Sequence, residues 1–357
     1  MERKMKFFFF LLTAAAALFL AGCASERIYV GGSDGIALMK QMWEPQAWVG
    51  EKVSSAPGVS YMAYRGRSLY AARRVARGVF AVDVHRILKD GSLRKLDSFE
   101  IPGNTGYCHI SLSADGKFLF GSAYSGSFVD VLSLAPGGGI IKLHQRHIFS
   151  GSSIHKRQKK SHLHFAAQTP DNSMVLAADL GSDRIHTFAY DSKKGLIRGK
   201  SFAVPSGAGP RHLSFSENGK LVFSVNELNN SVTSFKVVNG ELRMVESFSL
   251  LPRAWSGTSS AGAIKTLPGN RLCVTNRGHN SLVILRYSDE GKLALEHTFS
   301  AEGDFPYDVS FADGRLFLVN MRSDSFSEWQ PENKGWVRQK NSAVIRRPMC
   351  IVTVAKD

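Results

Sequence analysis

The chain has 357 residues, 43% of them hydrophobic, 10% aromatic and 21% charged, which is the balance of an ordered globular protein rather than a disordered one. Its formal charge of +15 at pH 7 suits anionic small molecules, anionic lipid surfaces or nucleic acid. No basic stretch is interleaved with aromatics, so a nucleic-acid partner is not expected, and four cysteines in a chain of this size do not make a disulfide scaffold.

The first element is a leader, residues 1–22. Arg3, Lys4 and Lys6 precede FFFFLLTAAAALFL, an apolar run of 14 residues that is too short to span a bilayer comfortably but has the flanks of a secretory signal. Leu20-Ala21-Gly22-Cys23 resembles the lipobox of bacterial lipoproteins, which implies that Cys23 becomes the lipidated first residue of the mature chain. Residues 23–26 would then be a short tether, and the protein would be held in the bacterial cell envelope, facing the periplasm. Losing Glu2, Arg3, Lys4 and Lys6 removes a net two charges and leaves about +13. The remaining cysteines, Cys108, Cys273 and Cys350, are expected as buried thiols with room for one bridge.

From residue 27 to 357 one unit recurs. The runs IYVGGSD, SLYAARR, FLFGSAY, SMVLAAD, LVFSVNE, RLCVTNR and RLFLVNM begin at Ile28, Ser68, Phe118, Ser173, Leu221, Arg271 and Arg315, at a mean interval of about 48 residues. Turns such as ADGK, ENGK and ADGR precede several of them, and a further apolar run (YCHISLS, LHFAAQT, RHLSFSE, YDVSFAD) precedes the turn. This reads as strand, tight turn, strand, with two more strands per unit, for example FVDVLSL and SVTSFKV. Seven four-stranded units predict an all-β, seven-bladed β-propeller. The terminal PMCIVTVAKD has the pattern of the strand missing before IYVGG, so the C-terminal strand is expected to close the ring by pairing with the N-terminal blade.

In a hairpin the start of the first strand and the end of the second share one edge. Counting back from the turns places Cys108, His164, Arg211, Gly262 and Tyr307 at equivalent positions. Counting forward places Asp34, Arg74, Tyr124, Asp179, Glu227, Arg277 and Met321 opposite them. All should ring one mouth of the central channel, with His162 two residues before His164 and His212 beside Arg211, and such convergence is what a pocket needs. His162 and His164 flank Leu163 on one strand, but no Cys, Asp or Glu spacing nearby supports a metal site. The basic run HKRQKK at 155–160 is either a solvated loop or a lure for an anionic substrate. GGG at 137–139 lacks the Lys-Ser/Thr and the helix of a phosphate loop and reads as a turn.

HLHF at 162–165, DLGSDRI at 179–185, GPRHLSF at 209–215, VNEL at 225–228 and TNRGHNS at 275–281 resemble, in order and one blade apart, the propeller lactonase family. That family includes the bacterial propeller type of 6-phosphogluconolactonase and a fungal carboxy-muconate lactonising enzyme. The resemblance implies a catalytic set of His164, Arg211, Glu227 and Arg277 with His162 beside it, and a carboxylic ester hydrolase that uses no cofactor. His162, His212, Asp179 and Tyr307 are the candidate substrate contacts. The chain departs from the family at Ala261-Gly262-Ala263-Ile264, where many relatives carry a carboxylate at Ala263. It departs again at Tyr307-Asp308, where relatives have an Arg-His pair, and at Ala123, where an Asn is common.

The expected activity is hydrolysis of a small lactone, anionic by the charge balance, by a monomer. Arg211 and Arg277 would face the carbonyl, one of Glu227 and His164 would take a proton from water, and the other would protonate the departing ring oxygen. Two other readings stand beside it: a lactonising or isomerising enzyme acting on an unsaturated dicarboxylate, and a non-catalytic anchored propeller that binds a ligand or partner. A phosphorylated gluconolactone is made in the cytosol, so either the substrate differs or the leader is misread.

Overall fold

The computed structural model describes residues 26–43, 46–332, 335–340 and 342–355; the leader and Cys23 lie outside the described residues. Within them the chain forms seven antiparallel sheets arranged as the blades of a propeller, as the repeat predicts. Blade 1 holds 26–54, and blades 2 to 7 begin at Val59, His109, Leu163, Pro210, Ser260 and Pro306.

The burial pattern explains why these sequences form blades. Second strands such as Phe118–Ala123 and Leu221–Asn226 are buried at every position, because each lies between two neighbouring blades and meets apolar surface on both faces. Outer strands such as Leu93–Glu100 are mostly exposed and carry the polar residues. Seven hydrophobic clusters fill the seven interfaces. Tyr29, Ile36 and Leu38 of blade 1 meet Leu69 and Ala71 of blade 2. Tyr70 and Val82 then meet Leu119 and Leu132 of blade 3, and the series runs on until Phe317 and Phe326 of blade 7 meet Val30, Met39 and Trp48 of blade 1.

The last contact exists because the ring is closed as expected. Cys350–Ala355 is the innermost strand of blade 1 and pairs with Glu26–Gly32, Gly31 opposite Cys350 and Glu26 opposite Ala355. Of the tight turns, ADGR is a two-residue link between Ala312 and Arg315, with Asp313 and Gly314 both at positive φ (49° and 73°), the geometry that Asp-Gly supplies cheaply.

One irregularity positions the site. Near the start of the innermost strands of blades 2, 4, 5, 6 and 7 the register slips by one residue, leaving Ser60, His164, Arg211 and Tyr307 unpaired in bulges of blades 2, 4, 5 and 7. A bulge breaks strict alternation, so two consecutive side chains can turn to the channel. It also exposes an error in the strand count. Leu163 pairs with Asp179 as Pro210 pairs with Asn226 and Pro306 with Asn320, so Asp179 corresponds to Asn226, not to Glu227. Asp34 is displaced by one residue in the opposite direction, because Gly31 already pairs with Cys350 at the mouth end and Ser33 takes the equivalent place.

Candidate active site

Glu227 is the first residue beyond the strand Leu221–Asn226, and its amide donates to the Gly209 carbonyl at 2.8 Å, which fixes it at the mouth. The residue is only 5% exposed, and a carboxylate so far from water needs cations around it. Three supply them. Arg277 Nη2 lies 2.8 Å and Arg211 Nε 3.1 Å from Glu227 Oε2, while Arg157 Nη1 donates to Oε1 at 2.6 Å. Burial alone would raise the carboxyl pKa, but Arg277, Arg211, His164 and Arg157 together outweigh it and hold the group well below the ordinary range. Three guanidinium groups against one carboxylate leave the cluster with two positive charges in excess.

Both arginines are anchored by backbone carbonyls of the innermost strand of blade 6, which is Arg277's own blade and the one next to Arg211's. Arg277 Nη2 donates to the Ala261 carbonyl at 2.7 Å and its Nε to Ser260 at 3.3 Å. Arg211, 2% exposed, donates from Nη1 to the Gly262 carbonyl at 2.9 Å. Gly262 is required here, since a Cβ would stand 2.5 Å from Thr275 Oγ1. The Arg211 Nε–H is not aimed at Glu227 despite the short separation and forms no hydrogen bond among the described residues, so the ion pair leaves that donor unspent. Cation–π contacts complete the pocket wall: Tyr307 lies 5.4 Å from Arg211 Cζ and 5.6 Å from Arg277 Cζ, and Phe305 lies 5.3 Å from Arg277 Cζ.

His164 faces this cluster from its bulge in blade 4. Burial first, then Arg211 and Arg277 against the opposing pull of Glu227, bring its pKa down to about 3. It is therefore a neutral imidazole at physiological pH, and its buried Nδ1 has no hydrogen-bond partner among the described residues. His162 lies at the rim, its Nδ1 2.9 Å from the Tyr124 carbonyl and its ring stacked on Tyr124 at 4.1 Å. The Tyr124 hydroxyl accepts from Arg157 Nη2 at 3.1 Å, which links the rim to the charged cluster.

The structure thus brings His164, Arg211, Glu227 and Arg277 together, with His162 and Tyr307 around them. His212 lies one layer deeper, packed in the channel against His164 (5.2 Å) and His109 (5.4 Å), with Arg211 Nη1 3.3 Å from its ring nitrogens. Asp179 stands apart and is fully enclosed. It accepts from Ser161 Oγ (2.5 Å), Ser182 Oγ (2.6 Å), the His162 amide (2.7 Å) and the Gly181 amide (3.0 Å), so it pins the segment that presents both histidines and has no side open to a substrate. Cys108, at the equivalent position of blade 3, has its thiol pushed up to about 12 by burial and is no nucleophile at neutral pH. Cys108, Cys273 and Cys350 are all free thiols, so the bridge allowed for by the sequence does not form.

Arg157 is the site residue that sequence reasoning missed. It belongs to the basic run 155–160, whose uncharged member, Gln158, is completely buried and donates to the Leu180 carbonyl and to Asp183 Oδ1. Pinning Gln158 turns its neighbour Arg157 over the mouth. Among the described residues no group of three or more His, Cys, Asp or Glu side chains is placed to hold a metal ion.

Comparison with known proteins agrees with this architecture. The family model described as Lactonase, 7-bladed beta-propeller, matches residues 24–353. A 6-phosphogluconolactonase of Bacillus subtilis is 31% identical over 298 residues, covering 81% of this chain and 84% of that protein. An uncharacterized protein of Staphylococcus saprophyticus is 32% identical over 240 residues, covering 66% and 69%. Among solved structures, the periplasmic gluconolactonase of Pseudomonas aeruginosa superposes with a TM-score of 0.85 at 26% identity, over 93% of this chain and 99% of that one. The chain belongs to the seven-bladed β-propeller lactonase family.

Proposed function

We propose that the mouth opens a sugar lactone by adding water to its carbonyl, and that His164 is the proton carrier. The observation that carries this reading is the pairing of a neutral, buried imidazole that has an unfilled nitrogen with two arginines fixed on its open side. The lactone carbonyl oxygen would sit against Arg211 Nε and Arg277, where guanidinium donors stabilise the oxyanion as it forms. His164 Nδ1 takes a proton from the attacking water. When the tetrahedral carbon expels the ring oxygen, the same proton returns to it, and the product is an open hydroxy acid. An imidazole of pKa about 3 is a weak base in the empty site. Burial is the larger cause of that depression and stays, but the growing oxyanion cancels the field of the arginines that adds to it, so the imidazole's basicity rises along the reaction. Glu227, held anionic by three cations, is a poor base and serves to keep the arginines in place.

The two excess positive charges favour a lactone that carries an anionic group of its own. We also infer that Cys23 tethers the protein in the cell envelope. The lipobox-like leader supports this, as does the periplasmic location stated for the Pseudomonas aeruginosa relative. Loss of palmitate incorporation in Cys23→Ala tests the tether. The activity is tested by offering free, phosphorylated and carboxylated lactones and following acid release in a pH-stat, with spontaneous hydrolysis subtracted. Turnover of sugar lactones, faster for the anionic ones, is expected. If no lactone opens faster than in buffer, the proposal fails.

A further inference from the structure

The mouth edge of blade 7 carries a guanidinium group that the hydrolytic cluster leaves unused. Arg322 lies just beyond the strand Arg315–Asn320, and Phe305 immediately precedes the innermost strand Pro306–Ala312, so both stand at the mouth. The Arg322 amide donates to the Asp304 carbonyl at 3.1 Å and the Met321 amide to that of Phe305 at 3.0 Å, which ties the two segments together. Arg322 Cζ lies over the Phe305 ring, 4.0 Å from its centroid. A guanidinium stacked in this way is held by its flat face, so the N–H groups around its edge stay available. Among the described residues no hydrogen bond or ion pair takes up a side-chain donor of Arg322. The carboxylates of the adjoining loop are engaged elsewhere: Glu302 pairs with Arg338 at 3.0 Å, and Asp304 Oδ1 accepts from Asn280 Nδ2 at 2.9 Å.

Phe305 is forced into the place where it makes this contact. Its φ is 66°, in the left-handed region that a bulky side chain rarely adopts, and such strain persists only where the surroundings over-determine it. Asn280, in the turn after Arg277, accepts through Oδ1 from the Phe305 amide at 3.0 Å and from the Gly278 amide at 3.0 Å, while the Asp304 amide donates to Ser323 Oγ at 3.0 Å. The turn that follows Arg277 therefore also sets the ring, and Arg277 Cζ lies 5.3 Å from the ring's centroid. Together with Tyr307, which touches both Arg211 and Arg277, this makes a wall in the order Arg211, Tyr307, Arg277, Phe305, Arg322. The first two arginines are committed to Glu227 and to backbone carbonyls. The third is held only by its stack.

We propose that Arg322, stacked on Phe305, is a specificity-determining residue of the mouth: its N–H edge binds an oxyanion, phosphate or carboxylate, that the substrate carries away from the lactone carbonyl. The inference rests on the lactone reading and deepens it. The excess charge around Glu227 attracts any anion, whereas a fixed planar fork gives paired hydrogen bonds and so a defined position. With the carbonyl against Arg211 and Arg277, the anionic substituent extends toward blade 7.

Steady-state kinetics of the full chain test this with an uncharged sugar lactone, a phosphorylated one and a carboxylated one. In Arg322→Gln the preference for an anionic over the uncharged lactone, taken as the ratio of their kcat/KM values, should fall about 10- to 100-fold, as expected for losing hydrogen bonds to a charged group. Arg322→Lys keeps the charge without the fork and should recover only part of that preference. Phe305→Leu, which removes the stacking face, should lower it by a smaller factor. The lactone whose preference falls tells phosphate from carboxylate. A ratio unchanged in Arg322→Gln, for both anionic lactones, overturns the proposal, and so does an equal fall in kcat/KM for charged and uncharged lactones. Calorimetric titration with gluconate, phosphogluconate and the dicarboxylate glucarate gives a readout that needs no turnover. Wild type should bind one of the last two more tightly than gluconate, and Arg322→Gln should lose that difference. If wild type opens no lactone but shows this difference and the variant loses it, the hydrolytic reading fails and the oxyanion site stands; a difference that survives in the variant overturns the site.

Discussion

Replacing Glu227 with Gln keeps the shape of the side chain and removes only its charge, which makes it a clean probe of the mouth. Arg211 and Arg277, 2% and 6% exposed, would then be two buried cations without their shared anion. Breaking a buried pair on one side costs about 3–5 kcal/mol. A domain of this length unfolds with an entropy of about 0.7 kcal/mol per kelvin, so the melting temperature should fall by about 4–7 °C. The carboxyl is held far below its ordinary pKa, so its contribution is complete above the unfolded glutamate value and is lost only as pH falls through the folded value in strong acid. The difference between wild type and Glu227→Gln should therefore be flat from about pH 5 to pH 8. The vacated site should also accept a small anion. Phosphate at about 100 times its Kd would restore about 2.7 kcal/mol to the variant and little to the wild type. Scanning calorimetry with and without phosphate measures both effects. A variant that melts within a degree of wild type, or an equal anion response in both proteins, would refute the reasoning.

The channel should make the protein acid-labile. Burial, reinforced by neighbouring cations, depresses the pKa of His109, His164 and His212, so unfolding takes up protons below about pH 6.5, and stability falls as pH drops through that value. The slope from these three alone should approach about 4 kcal/mol per pH unit near pH 5. Urea unfolding as a function of pH measures it, and a slope below one proton would contradict the burial account. Arg157→Ala, at a half-exposed position, should cost less than about 1 kcal/mol of stability yet raise KM for anionic lactones about tenfold, with a smaller change in kcat. Steady-state kinetics check this against an uncharged lactone, for which KM should hardly move. Deleting residues 348–357 removes the closing strand and should abolish the cooperative melt seen by circular dichroism; a truncated chain that melts like the parent would contradict ring closure.

Much of the ring was legible because its signals are local and repeat. Asp-Gly and Asn-Gly turns mark the hairpins, mostly apolar second strands mark blade interiors, and CIVTV is a strand with no other partner. The convergence of His164, Arg211, Glu227 and Arg277 could be read by counting from those turns. Counting failed where the signal was weaker. The run SMVLAAD was aligned from Ser173, one residue early, and this moved Asp179 to the mouth when its register places it one step inward as a loop anchor. Period two also cannot foretell that Arg211 and His212 both turn to the channel, since that depends on the bulge at Pro210/His212. Arg157 was hidden among four similar neighbours, and the one hint was Gln158, an uncharged residue inside a basic run.

The most direct measurement of the central claim is kcat of His164→Asn on whichever lactone the wild type opens fastest. Asparagine preserves polarity and removes the basic nitrogen, so the account predicts a fall of about 10²- to 10⁴-fold with a cooperative melt retained. A folded His164→Asn protein that turns over within twofold of wild type would contradict it.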